Sequence, residues 1–505
     1  MRWCRYGESA IHVDLGVDCA EDRAARTHAA AAAVRARLGE RVGEVVIGAG
    51  TLLVAGLAPG ALCGIAEAIT AALAGAIGRG AVGGRAHTIE VVYDGPDLEE
   101  VAAAAGTTPR EVIAWHAGRE VVVELLGFLP GFAYMGEIDP RLVRPRRASP
   151  RPVVPAGSVG IAGAFTGVYP FASPGGWSLL GRAVGTALFD PDRDPPSLLA
   201  PGDRVRFVRV AAGDVRSSTR VPAAPAAPET ARALEILAAP AGATVQDGGR
   251  PGQLSRGLPP SGPLDVVGHA AANLAAGNAA DAAAIEVPLG GLEVLAHGDL
   301  VVSVDGAPAA ALRDGERLAV PAVACAVRYL AALGGAAVPA RLGARATLLA
   351  ARLGGLNGRP LRRGDRVPIG EPSGEAPATF AEPIEGALME DSGEIEIDPG
   401  PHVDRFPPGA MEVLLGTTWR ISRWSDRVGV RLEGGRVPRE GVDMALPAPM
   451  LRGAVQVATD GTPIVLGPDH PITGGYPVLA VVRRAGQPRL ARRRPGEEVR
   501  FRQGY

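Results

Sequence analysis

Pro201-Gly202-Asp203-Arg204-Val205-Arg206-Phe207 and Pro495-Gly496-Glu497-Glu498-Val499-Arg500-Phe501 are one pattern written twice. In each, Pro-Gly opens a turn, an acidic residue follows, and an alternating apolar run reads as a strand. Upstream, Gly157-Ser158-Val159-Gly160-Ile161 parallels Gly453-Ala454-Val455-Gln456-Val457. Between these, Pro174-Gly175-Gly176-Trp177 parallels Thr473-Gly474-Gly475-Tyr476. Three matches in one order predict two related β-barrel domains, one in each half. The spacer V-P-A-A-P-A-A-P at 221–228 separates the halves, since Pro and Ala make a semi-rigid linker.

The chain before the first barrel has a different texture. Residues 10–15 alternate as a strand, 18–38 read as a helix capped by Asp18 and stopped at Gly39, and 44–47 and 52–55 read as a strand pair. Residues 61–77 form an Ala-rich helix closed by Gly78, and 88–93 a further strand. That order predicts a small ferredoxin-like α/β unit. Thr108-Pro109-Arg110-Glu111 is a capping box with Pro in the first turn, starting a helix to about His116. Beyond Glu120, Gly, Pro and short Val-rich runs dominate, with one more helix around 269–277. The expected class is α+β, mostly β. Its boundaries are 1–85 for the α/β unit, 86–212 for the first barrel and 213–232 for the linker. A β-rich domain follows at 233–375, and the last barrel domain at 376–505.

Composition narrows the chemistry. The 505 residues carry 52 basic and 54 acidic side chains, a net charge of −2, which gives no support for nucleic acid or an anionic membrane as partner. Every basic residue is Arg. The absence of Lys excludes a Walker A loop, a lysine Schiff base and a covalently biotinylated lysine in this chain. Cys4, Cys19, Cys63 and Cys325 have no C-x-x-C spacing, and the eight His are isolated, so no metal is expected. Few Cys, no signal-peptide pattern and no long apolar run point to a cytoplasmic protein.

Dense polar and Gly clusters carry what chemistry remains. In Gly127-Phe128-Leu129-Pro130-Gly131-Phe132-Ala133-Tyr134-Met135-Gly136, Gly and Pro fix the backbone and the aromatics cover an apolar surface. The run reads either as a pocket wall or as a packed β-corner. Pro145-Arg146-Arg147 and Pro150-Arg151 place Arg beside rigid Pro, either as a cationic site for carboxylate or phosphate or as a solvated loop. Arg146 and Arg151 are expected to share one pocket with Tyr134, Ser158 and Trp177. In the second half, Gln246-Asp247-Gly248-Gly249-Arg250 precedes Asp265, Asn273, Asn278 and Glu286. Asp247 or Asp265 could act as a base or hold Mg²⁺, with Arg250 beside them, or both could cap turns and helices.

These clusters together resemble a known family. Residues 127–182, with G-F-L-P-G-F-A-Y, P-R-R-x-x-P-R, V-P-A-G-S-V-G-I-A-G and S-P-G-G-W-x-x-x-G-R, resemble the B component of bacterial ATP-dependent 5-oxoprolinase. Residues 244–286, with T-V-Q-D-x-G-R, x-S-G-x-x-D and A-x-N-L-x-x-G-N, resemble its C component. Ser425-Asp426-Arg427-Val428-Gly429 and Gly474-Gly475-Tyr476-Pro477 extend that match. The family also holds the carboxyltransferase region of urea amidolyase and a pair of sporulation-kinase regulators. The resemblance implies a cyclophilin-like barrel in the B part and two related β-rich domains in the C part. Departures from the family pattern fall at Phe165, at Ala344 and Ala346, at 448–452 and at His470-Pro471-Ile472.

The implied activity is ATP-dependent opening of 5-oxo-L-proline to L-glutamate, with a separate A-type protein as partner. Such a site needs a clamp for the substrate carboxylate and positive charge for the transferring phosphoryl group. Asp247, Asp265 and Arg250 are the catalytic candidates. Tyr134, Arg146, Arg151, Ser158, Trp177, Gln246, Asp426, Arg427, Gln456 and Tyr476 are the candidates for binding substrate or ATP, with Mg²⁺ as companion of the nucleotide. The alternatives are a carboxyltransferase acting on an amide or urea-like substrate, with biotin on another protein, and a non-enzymatic regulator of a kinase. A homo-oligomer is compatible with each.

Overall fold

A computed structural model describes residues 1–17, 20–58, 61–74, 83–211, 228, 230–323, 325–372, 393–440, 444 and 446–504. Asp18, Cys19, the Gly78 stop and all of the Pro/Ala spacer except Pro228 lie outside the described residues. No helix among the described residues is long and apolar enough to cross a membrane.

The N-terminal sheet has the order Arg2–Arg5, Ala10–Asp14, Thr51–Ala55, Glu44–Ile47, all antiparallel. Helices Ala20–Leu38 and Leu62–Ala74 pack together, and their apolar residues join one core with Val13, Leu52 and Val54. The edge seat expected for the strand at 88–93 is filled by Arg2–Arg5. That later strand, Ala86–Val92, pairs instead with Ser178–Val184 and, in parallel, with Arg204–Arg209. Its alternation suits either sheet, and only distant partners decide between them.

Those partners close a seven-stranded barrel. Its ring order is Phe165–Val168, Ala133–Gly136, Glu120–Leu126, Arg204–Arg209, Ala86–Val92, Ser178–Val184, Ser158–Ala162. Val91, Val123, Met135, Val159, Ile161 and Phe207 fill its interior. Thr108 caps helix Pro109–Ala117 through the expected capping box with Glu111.

The C-terminal sheet repeats the same circuit. It runs Pro463–Leu466, Gly429–Glu433, Trp419–Ile421, Glu498–Val499, then Phe501–Gln503, Ile395–Pro399, Val478–Val482 and Ala454–Val457. The last strand is interrupted at Arg500. Glu498–Val499 pairs with Trp419–Ile421, and Phe501–Gln503 runs parallel to Ile395–Pro399. In the first barrel Arg204–Arg209 makes both pairings without a break. The side ribbon Arg151–Val154 with Ser173–Gly175 has its counterpart in Ala448–Pro449 with Thr473–Gly474. The repeat seen in three turn motifs is therefore a repeat of whole barrels.

Between the barrels in sequence, residues 233–369 form a four-stranded and a five-stranded sheet around one apolar core. Helix Val266–Ala276 lies on the five-stranded sheet, capped by Asp265 and ended by Gly277 at φ 89°. The small N-terminal sheet also docks on the second barrel. Tyr6, Ala10, Val46 and Leu53 share a core with Met450, Ala454, Ile472 and Val478.

Candidate active site between the two barrels

Side chains alternate across a strand, so each barrel presents every second residue outward. In Ala133–Gly136, Ala133 and Met135 enter the barrel core, which turns Tyr134 outward. In Ala454–Val457, Val455 and Val457 enter the second core, which turns Gln456 outward. The two outer faces meet around a cavity of about 160 Å³. Phe128, Phe132, Tyr134, Arg146, Tyr169 and Gly175-Gly176-Trp177 line it from the first barrel, and Gln456, Pro471 and Thr473-Gly474-Gly475-Tyr476 from the second. The two Gly-Gly-aromatic turns of the sequence repeat thus contribute to one cavity.

The first barrel supplies an aromatic wall. Phe132 meets Phe128, Tyr134, Tyr169 and Trp177 edge to face, with ring centroids 5.0–5.4 Å apart. Phe128 sits at φ 62°, a left-handed conformation uncommon for a bulky residue, which holds its ring on the cavity. Gly167 makes room for the wall, since a Cβ there would stand 2.8 Å from Phe132 and 3.1 Å from Trp177. Of the two readings of the 127–136 run, the pocket wall describes Phe128, Phe132 and Tyr134. The backbone N–H groups of Leu129 and Phe132 are used within the turn itself.

Arg146 is the charged group of this cavity. Its guanidinium lies over Gly475, where an added Cβ would come within 3.4 Å of it. It has no carboxylate partner among the described residues. Burial pushes the Tyr134 phenol up, while the nearby Arg146 guanidinium pulls it down. The Gln456 amide makes no side-chain hydrogen bond among the described residues. A cation without a counter-charge and an unengaged amide face an apolar wall. Such a site suits a small molecule with a carboxylate and an amide-like polar edge.

The expected shared pocket of Arg146 and Arg151 is not formed. Arg151 reaches Asp97 at 2.5 Å, and Asp97 also accepts from Arg147 and from the Leu179 N–H. Asp97 is buried and needs these donors, so it draws Arg151 away from the cavity. Ser158 is buried in the barrel wall opposite Arg182, outside the cavity.

The other second-half candidates lie outside this cavity, in a buried network of their own. Asp247 accepts the N–H groups of Gly249, Arg345 and Ala346, which uses both its oxygens to hold a turn. Asp265 caps its helix through the Val267 and Gly268 N–H groups and pairs with Arg492 at 2.6 Å. Both carboxylates cap, Asp247 its turn and Asp265 its helix, as the capping alternative has it. No group of three or more His, Cys, Asp or Glu among the described residues could hold a metal.

Arg250 is 1% exposed and donates to the carbonyls of Arg341 and Ala346. Burial pushes its pKa down to about 10 against the charges of Asp247 and Asp469. Gln246 is fully buried and donates to Thr244 and to the Thr347 carbonyl. Arg427 pairs with Glu286 and with Asp469 at 2.8 Å, and donates to the Gly262 carbonyl. Burial alone would lower Arg427, but the two carboxylates more than offset it and raise its pKa. Asp426 is a turn residue that accepts from the Val428 and Gly429 N–H groups. Tyr134, Arg146, Trp177, Gln456 and Tyr476 are thus brought together in this cavity, while Asp247, Arg250 and Arg427 come near one another in the second half.

Comparison with known proteins agrees with this layout. Residues 1–199 match the carboxyltransferase domain, subdomains C and D, and residues 256–503 match subdomains A and B. The B component of 5-oxoprolinase from Bacillus subtilis is 54% identical over 120 residues, 24% of this chain and 50% of that protein. The chain therefore spans about half the length of that relative. The C component of 5-oxoprolinase from Escherichia coli K12 is 35% identical over 283 residues, 53% of this chain and 90% of that protein. The crystal structure of TTHA0988 superposes with a TM-score of 0.83 at 32% identity, covering 98% of this chain and 99% of that one. The cavity thus lies where a B-like half meets a C-like half, and the chain belongs to the carboxyltransferase-domain family that includes the B and C components of 5-oxoprolinase.

Proposed function

We propose that this chain is a fused B and C component of an ATP-dependent 5-oxoprolinase, acting with a separate A-type protein, and that 5-oxo-L-proline binds between the barrels. The observation that carries this reading is Arg146. It is a cation without a carboxylate partner among the described residues, set against an aromatic wall at the junction of the two halves. The guanidinium takes the substrate carboxylate, and the Gln456 amide takes the polar edge of the lactam. Phe132 and Trp177 cover the ring and exclude water, which strengthens both contacts.

A lactam resists hydrolysis because its nitrogen lone pair is delocalised into the carbonyl. Transfer of the γ-phosphoryl group of ATP to the carbonyl oxygen releases ADP and makes the carbon electrophilic. Water then adds to that carbon and the ring C–N bond breaks, freeing the amine and leaving an acyl phosphate. A second water hydrolyses the acyl phosphate, which releases phosphate and forms the second carboxylate of glutamate. Mg²⁺ arrives with the nucleotide in this reading. The A-type partner completes the ATP-dependent steps.

The test is reconstitution with the A-type partner, following ATP-dependent glutamate release from 5-oxoproline. Turnover that needs both proteins and fails in Arg146→Ala supports the reading. No turnover, but carboxyl transfer from a biotinylated carrier protein to an amide or urea, would favour the second reading. That reading rests on the carboxyltransferase description of both matched domains.

A further inference from the structure

A second cavity, of about 500 Å³, lies where the small N-terminal sheet meets the second barrel. His12, from strand Ala10–Asp14, meets His402 edge to face with ring centroids 5.3 Å apart. Each is 4% exposed, and both line the cavity. The His402 Nδ1 accepts from the Val478 N–H, which leaves Nε2 as the protonated donor of a neutral ring. The His12 Nε2 is buried without a hydrogen-bond partner among the described residues. Burial holds both imidazoles below their ordinary range, His12 at about 4.

The charges around these rings do not cancel in place. Arg2 lies between Asp14 at 3.4 Å and Asp404 at 3.0 Å, one cation for two carboxylates. Arg405 lines the same cavity and makes no ion pair among the described residues. The lining therefore holds a surplus carboxylate and an unpaired guanidinium, with the Trp3 indole beside them. Two residues link this cavity to the one between the barrels. Met444 and Ala448 line the second cavity, while the Met444 N–H donates to the Gly475 carbonyl and Ala448 pairs with Gly474.

We propose that this cavity is a second ligand site, for a small zwitterion of the α-amino-acid class. Its ammonium group meets the Asp14 and Asp404 side, its carboxylate meets Arg405, and the neutral imidazoles donate or accept in between. Resting on the function proposed above, L-glutamate is the probe of choice, because ring opening creates the ammonium group that 5-oxoproline lacks. The site would then tell product from substrate. Binding to this chain alone does not require turnover, so the site can fail or stand independently of that function.

Isothermal titration of the full chain with L-glutamate, glutarate and 5-oxoproline tests the proposal. Glutamate should bind at least about tenfold more tightly than glutarate, which keeps both carboxylates but lacks the ammonium group. Arg405→Ala, at an exposed position, should weaken glutamate by about tenfold or more, and Asp404→Asn should weaken it also. In the Arg146→Ala background a glutamate-binding event should persist, and adding Arg405→Ala should abolish it, which separates this cavity from the other. No glutamate binding, equal binding of glutarate, or loss of all glutamate binding in Arg146→Ala would overturn the proposal.

Discussion

The cavity between the barrels and the buried cluster around Arg427 are both built from arginine, and they use it in opposite ways. Arg427 is surrounded by Glu286, Asp469 and the Gly262 carbonyl, so its charge is spent on holding parts of the second half together. Arg146 has no such partner among the described residues and faces an aromatic wall and an unengaged amide. The same side chain is a structural tie in one place and, in the proposed function, a binding group in the other. The difference lies in the carboxylates that the fold brings to it. Arg151 makes the point within one loop, since five residues from Arg146 it is claimed by Asp97.

The largest effect should come from the tied arginine. Arg427→Met strands two buried carboxylates, and breaking a buried ion pair from one side costs about 3–5 kcal/mol. Chemical denaturation of the full chain should show a loss of that order. A change below about 1 kcal/mol would remove Arg427 from the structural class. Arg146→Ala should change stability by less than about 0.5 kcal/mol in the same assay, as expected of an exposed side chain without a carboxylate partner.

Protonation of buried histidines should give the next effect. Burial places His12, His116 and His470 at about 4 in the folded chain, below the ordinary 6.5. Between those values the unfolded chain binds more protons than the folded one, so stability falls as pH drops through this window. Each group contributes on the order of 1 kcal/mol per pH unit there, and nothing above about pH 7. Denaturation midpoints should hold from pH 8 to 7 and decline towards pH 5. A flat profile down to pH 5 would mean these rings are solvated.

Much of the architecture could be read from local pattern. The Pro-Gly turns before Arg204 and Glu498 located equivalent strands of both barrels, and the Gly175-Gly176-Trp177 and Gly474-Gly475-Tyr476 turns located facing walls of one cavity. Thr108 and Glu111 announced their helix because capping is settled within a few residues. The destination of Ala86–Val92 was not legible, since two sheets could accept the same alternation and the choice lies with Arg204–Arg209. Nor did local sequence show that Arg146 and Arg151 would part, because Asp97 lies far upstream of both Pro-flanked arginines. His12 and His402 looked isolated because only the docking of the N-terminal sheet on the second barrel brings them together.

The smallest effect is expected where the halves join. Tyr6, Ala10 and Leu53 share a core with Met450, Ile472 and Val478, and Arg2 reaches Asp404 across the same interface. Cleavage at an engineered protease site within the 213–232 linker should leave the two halves co-eluting on a sizing column. Separate elution of two folded halves would show that the linker, rather than this shared core, holds the cavities together.

The central claim is that the unpaired arginine between the barrels binds the substrate carboxylate. Titration of 5-oxo-L-proline into the wild type, Arg146→Ala and Arg151→Ala tests it most directly. Loss of the charged contact should cost about 1.5–3 kcal/mol of affinity in Arg146→Ala, while Arg151→Ala stays close to wild type. Equal losses in both variants, or wild-type affinity in Arg146→Ala, would contradict the account.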